Sequence, residues 1–134
     1  MIEIVKKWII KAENDFKAGM DEMNTENPAT DTICFHMQQF AEKYLKAYLT
    51  FNKKHFGKTH NIAELIELCK ELDPEFDSLY QLNTNKLTRY ATEFRYPDDF
   101  YIPTIEETQE AIDIAIKTKK FVMGKLKMSN ELNY

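Results

Sequence analysis

Turn-forming residues are so scarce in this chain that long helices are what it can build: three glycines and four prolines are spread over 134 residues. A fold of many short strands needs far more chain reversals than that. The apolar fraction, 43%, is ordinary for a globular protein. At this length one domain is expected, and folding should bury about two-thirds of the unfolded surface, enough for a core without disulfide or metal staples. The sequence therefore predicts an all-α protein, an up-and-down bundle of four to five helices. The domain is expected over residues 1–128, with a frayed tail at 129–134.

Apolar periodicity divides the chain into five helical segments. Val5, Trp8, Ile9, Ala12, Phe16, Met20 and Met23 recur at three- and four-residue steps and predict a first helix over Ile2–Met23. "NTENPATD" breaks it, and Thr30 or Asp31 can cap a second helix that runs to Phe51 or Asn52. A third opens at Asn61, with Glu64 three residues on, and carries Ile62, Leu65, Ile66, Cys69 and Leu72. Asp73-Pro74 stops it and starts a short helix through Phe76, Leu79, Tyr80 and Leu82. After a break at Asn83–Asn85, Leu87, Tyr90, Ala91 and Phe94 carry this fourth segment on to Tyr96, where Pro97 ends it. Thr104 and Glu107 form a capping box for the last helix, whose acids come early and lysines late, as the helix dipole favours.

A net charge of −4 argues against broad adhesion to nucleic acid, which wants a basic surface, although a local basic patch is compatible with it. Basic charge is almost all lysine; the arginines are Arg89 and Arg95. Cys34 and Cys69 sit among apolar helical residues without metal-ligand spacing, which predicts buried, reduced thiols. Lys6, Lys7 and Lys11 interrupt the first apolar runs, so no signal peptide is expected, and no stretch reaches the ~20 apolar residues that span a bilayer. A soluble cytoplasmic protein, without a cofactor or a bound metal and away from membranes, is the expectation.

The second helix poses the functional question. In "FHMQQFAEKYLKAYL" the polar residues His36, Gln38, Gln39, Glu42, Lys43 and Lys46 form a narrow stripe on a helix that is apolar around most of its circumference. Gln39, Lys43 and Lys46 share one side and could line a groove for phosphate; equally, Glu42 and Lys46 at i, i+4 could pair on the surface. His36 reads as an imidazole satisfied by hydrogen bonds or as a catalyst. Lys58, Thr59 and His60 precede a helix N-terminus, where unpaired N–H groups favour anions, and Thr59 can also cap the chain there. Arg95 has the planar fork for bidentate binding of phosphate or carboxylate, or for clamping a helix end. His55 and His60, either side of a glycine and with no acid or cysteine in ligand spacing, do not suggest a metal.

Three elements in this order, "FHMQQFAEKYLKAYL", "GKTHNIAEL" and "TRYATEFRYPDDF", resemble the HEPN family (higher eukaryotes and prokaryotes nucleotide-binding domain). The first is similar to its second-helix signature, the second to its Lys-Thr-His turn, and the third to its Arg-Tyr-Pro turn. "KAENDFKAG" resembles the family's first-helix pattern around Ala12 and Asp15, and the likeness spans roughly residues 5–126. It implies a four- or five-helix bundle that dimerises, often encoded beside a minimal nucleotidyltransferase as toxin and antitoxin. Several lineages are metal-independent ribonucleases with an Arg followed, about four to six residues on, by a His that moves the proton. Here both arginines come after His36, His55 and His60, so that motif is not present in its usual form. The resemblance thus implies a non-catalytic module, binding nucleotide or RNA and acting with a nucleotidyltransferase. Gln39, Lys43, Lys46, Lys58, Thr59, His60 and Arg95 are its candidate ligand-binding residues. The alternative is a metal-independent ribonuclease with a rearranged site of His36, His60 and Arg95.

Overall fold

The computed structural model describes residues 2–92 and 97–128, and among these every regular element is a helix. The long elements are α1 (Ile2–Met23), α2 (Thr30–Phe51), α3 (Ile62–Leu72) and α6 (Ile105–Met128). Between α3 and α6 the chain is more broken than its periodicity predicts. A 3-10 turn at Pro74–Asp77 leads into α4 (Ser78–Gln81), and a second at Thr84–Thr88 leads into α5 (Arg89–Thr92). Asn83, at φ 65, takes the left-handed conformation that asparagine tolerates, which interrupts the helix between the two halves. The part of the expected fourth helix at Glu93–Tyr96 and the tail at 129–134 lie outside the described residues.

Helix α2 is the axis of the bundle, packed against α1, α3, α5 and α6. Its contacts with α1 run in opposite directions along the two helices. Gly19 lies against Met37, Phe16 stacks on Phe40 with ring centroids 5.0 Å apart, and Trp8 meets Lys46. A Cβ added at Gly19 would stand 2.5 Å from Met37 Cε, so the Met37 methyl fills the space that a side chain there would take. Phe40, Tyr44, Ile33, Met37, Leu45 and Leu49 from α2 are fully buried. Ile62, Leu65 and Ile66 of α3, with Phe76, Leu79 and Leu87, close the same core. Phe76 stacks on Tyr48 at 4.4 Å and edge-on to Phe121 of α6 at 5.0 Å. Lys125 of α6 pairs with Asp73 at 2.8 Å and with Glu75, pinning this turn from outside. The hydrogen bond from the Lys125 ammonium holds the Asp73 carboxyl below the usual carboxylate range.

The caps follow the sequence at three of four starts. Asn61 Oδ1 accepts the Ala63 N–H at 3.0 Å, and Asp73 Oδ1 accepts that of Glu75 at 3.0 Å. Thr104 and Glu107 exchange both bonds of the capping box, at 3.1 and 3.0 Å. At α2 the N-cap is Ala29 and makes no side-chain cap, whereas Thr30 or Asp31 was the expected one. Thr30 is inside the helix, its hydroxyl donating instead to the Pro103 carbonyl at 2.8 Å, which ties α2 to the start of α6. Asp31 Oδ1 accepts the Thr32 N–H from within the first turn. No described helix is long and apolar enough to cross a membrane.

Both thiols are free and buried. Burial pushes Cys34 up to about 11, against the hydrogen bond to Thr108, and drives Cys69 higher still. At pH 8 about one Cys34 in a thousand is then the reactive thiolate. A disulfide-exchange reagent at pH 8 should therefore leave both cysteines of the native protein unlabelled over minutes and label both at once in denaturant. Fast labelling of the native protein would contradict the burial.

Candidate functional site

The polar residues of α2 face two elements, α1 and the loop that follows α2. On the α1 side Asp15 is the hub. One carboxylate oxygen meets Lys43 Nζ at 2.5 Å and the other meets His36 Nδ1 at 2.9 Å. Two residues before Asp15, Glu13 accepts the Tyr44 hydroxyl at 2.5 Å and pairs with Lys119 of α6 at 2.9 Å.

On the loop side Glu42 is the hub. Residues 52–61 double back along the last turns of α2, so that His60 lies over Glu42. Oε1 of Glu42 accepts from Gln38 Nε2 at 2.9 Å and from His60 Nδ1 at 3.0 Å, and Oε2 meets Lys46 Nζ at 2.8 Å. Gln38 Nε2 also reaches the His60 carbonyl at 3.3 Å, and Gln39 Nε2 donates to Gln38 Oε1 at 2.7 Å. The Glu42 side chain is 3% exposed and that of Lys46 9%, whereas that of His60 is 63% exposed. The Lys46 ammonium also lies 5.6 Å from the Trp8 ring centre and 5.8 Å from that of Phe56.

These distances fix what each group can do. A carboxylate only accepts, so each imidazole donates from Nδ1–H, which leaves Nε2 as the second polar atom of the ring. For His60 that nitrogen belongs to a ring largely in solvent. Lys43 and Lys46 are each matched by a carboxylate, so the stripe is charge-balanced from within. Among the described residues no buried side-chain polar atom lacks a partner. Glu42 and Lys46 do pair, in the interior rather than on the surface.

Of the sequence-predicted residues, Gln39, Lys46 and His60 join one network and His36 and Lys43 the other. Lys58 is exposed in the loop. Thr59 Oγ1 accepts the Asn61 N–H at 3.0 Å, and Thr88 Oγ1 accepts that of Ile62 at 3.0 Å. The first N–H groups of α3 are thereby occupied by protein oxygens. Arg95 lies outside the described residues. The other arginine, Arg89, sits 5.7 Å from the Tyr90 ring and lines a separate cleft of about 100 Å³ with Lys86, Glu107 and Glu110. Among the described residues no group of three His, Cys, Asp or Glu side chains is arranged to hold a metal.

Two participants escaped the sequence reading. Asp15 binds both His36 and Lys43, and its one signal was its place in the "KAENDFKAG" stretch. Trp8, read only as part of the α1 apolar stripe, also contributes an aromatic wall beside Lys46.

A helical bundle built around one largely buried central helix that carries a polar stripe, with a histidine-bearing loop folded back on it, defines the class. The comparisons identify the family. The HEPN domain model matches residues 5–126, and the chain belongs to the HEPN family. Among solved structures it is similar to ST0689, an archaeal HEPN homologue, with 26% identity over 90% of this chain and 96% of that one and a TM-score of 0.67. No curated protein matches the chain.

Proposed function

We propose that this HEPN domain is a non-catalytic module that binds a nucleotide or RNA through the loop at Lys58–His60, in a cytoplasmic, reducing setting. The observation that carries the reading is the exposed His60 ring, fixed through Nδ1 to a buried Glu42. A group held this way presents a preset hydrogen-bonding nitrogen to a ligand beside the Lys58 ammonium. Gln39, Lys43 and Lys46 act behind it, holding the shape of α2 and the loop, and Arg95 supplies a further anion contact. The chain acts as a homodimer with a minimal nucleotidyltransferase as protein partner, in a toxin–antitoxin-type arrangement. Family membership supports this, as does the exposed apolar run of Phe100, Tyr101, Ile102 and Ile105, a surface of the kind that proteins bury against one another. The two buried free thiols support the reducing compartment.

Calorimetric titration with ATP, AMP and a short single-stranded RNA, followed by gel analysis of the RNA, tests the module. Saturable binding with intact RNA is expected, weakened about tenfold or more in the Lys58→Ala, His60→Ala double variant. Absence of binding by all three ligands would overturn it.

One observation favours a second reading, the metal-independent ribonuclease with a rearranged site of His36, His60 and Arg95. Each imidazole gives its Nδ1 to a carboxylate, at 2.9 and 3.0 Å, which is how a general base is oriented. RNA cleavage that survives a metal chelator and disappears in His60→Ala would establish that reading against the module.

A further inference from the structure

We infer that the N-terminal half of α1 and the 52–61 loop together form a base-stacking site for single-stranded nucleic acid, with Trp8 as the platform. The inference rests on the proposed ligand class and extends it to a part of the surface outside the α2 network.

Ile4 and Trp8, and beside them Lys7 and Lys11, are four residues apart on α1, and together they line a shallow, open cleft of about 170 Å³. Ile4 is 53% exposed and Trp8 partly so, which leaves an apolar floor open to solvent at the end of a folded helix. Phe56 abuts Trp8, with ring centroids 6.2 Å apart and planes inclined at 58°, so the loop contributes a second aromatic wall. Lys46 lies beneath both rings with its charge matched by Glu42. The indole is therefore propped from behind by a buried ion pair.

Charge decides what such a platform takes. Lys7 and Lys11 rim the cleft, and the loop that brings in Phe56 also carries Lys53, His55 and Lys58. Lys7, Lys11, Lys53 and Lys58 are exposed and have no carboxylate partner among the described residues. Glu3 is the one acid among residues 1–11. In a chain of net charge −4 this concentrates uncompensated positive charge around an aromatic face. A buried protein partner would have to supply several carboxylates to match it. A nucleic acid strand supplies a base to stack and phosphates to neutralise the lysines in one molecule, and stacking on an aromatic ring tolerates any base. Lys7 and Lys11, one helical turn apart, suit successive contacts along a backbone better than the phosphates of one mononucleotide.

Trp8 is the only tryptophan in the chain, so its fluorescence reports this site alone. A fluorescein-labelled oligoadenylate RNA, with matched DNA and AMP as separate arms, is titrated while anisotropy follows binding and indole emission follows stacking. Saturable quenching in step with the anisotropy is expected for the strands, with AMP at least tenfold weaker. The Lys7→Ala, Lys11→Ala variant alters only exposed side chains. It should lower the slope of log affinity against log salt by about 0.7 per lysine removed. RNA and DNA of equal affinity point to stacking and phosphate contacts alone; an RNA preference adds 2′-hydroxyl contacts to the same site. Binding by anisotropy with unchanged Trp8 emission and an unchanged salt slope would overturn this site while leaving the Lys58–His60 module standing. Absence of binding in every arm would overturn both.

Discussion

Replacing Glu42 with alanine is expected to destabilise the fold by about 3–5 kcal/mol, the cost of leaving a buried charge without its partner. Three donors converge on this one carboxylate, from Gln38, Lys46 and His60, in a place where its side chain is 3% exposed. Its removal strands the Lys46 ammonium between Trp8 and Phe56 and releases the loop that His60 tethers. The urea midpoint should fall by more than 1 M, given slopes of about 1–3 kcal/mol per molar for small proteins. The double variant Glu42→Leu, Lys46→Met should recover most of the loss, because it removes both charges and fills the space. An equal loss in the single and double variants would show that the ion pair is incidental and that packing alone decides stability there.

Phe76→Ala should cost about 3–5 kcal/mol through the cavity it opens. Phe76 is fully buried and is held between Tyr48 of α2 and Phe121 of α6 at 4.4 and 5.0 Å. It stands on a 3-10 turn rather than a long helix, so local hydrogen bonding secures its segment poorly and tertiary contacts must do it. Thermal unfolding followed by near-ultraviolet dichroism should show the loss together with a weaker tyrosine signal. Leu72→Ala, at a side chain 38% exposed, serves as the control and should change stability by about 0.5 kcal/mol. Comparable effects at both positions would contradict the core described above.

The contrast between these sites marks what a sequence can disclose. Helices α1 and α2 were legible to within a residue or two because their apolar spacing is sustained over 22 residues each and the breakers between them are strong. The caps at Asn61, Asp73 and Thr104 were legible because each works within three residues of itself. The Ala29 start of α2 was not, since Thr30 is drawn to a carbonyl 73 residues away. The break at Asn83–Asn85 was legible and stands as a left-handed Asn83, whereas the two 3-10 turns of the stretch from Pro74 to Thr92 were not, because that stretch carries helical periodicity. Periodicity reports which face is buried and says little about whether the turn closes on the third or fourth residue.

The candidate site was legible in its members and not in their wiring. His36, Gln39, Lys43, Lys46 and His60 could all be picked from the sequence. That Lys43 belongs to Asp15 and His60 to Glu42 depends on how α1 and the loop pack on α2, which no local spacing encodes. The polar stripe thus reads in sequence as a groove for phosphate or as a surface pair, and stands in the fold as two balanced networks. Lys7 and Lys11 of α1 and Lys53 and Lys58 of the loop, which have no carboxylate partner among the described residues, lie at the surface.

The most direct measurement is nuclear magnetic resonance mapping of single-stranded RNA onto the isotope-labelled protein. The account predicts amide shifts concentrated at Lys58–Ile62 and at Lys7–Lys11, with the Trp8 indole signal moving, while Ala41–Leu45 in α2 changes little. Shifts confined to other faces of the bundle, or a spectrum unaltered at saturating RNA, would contradict it.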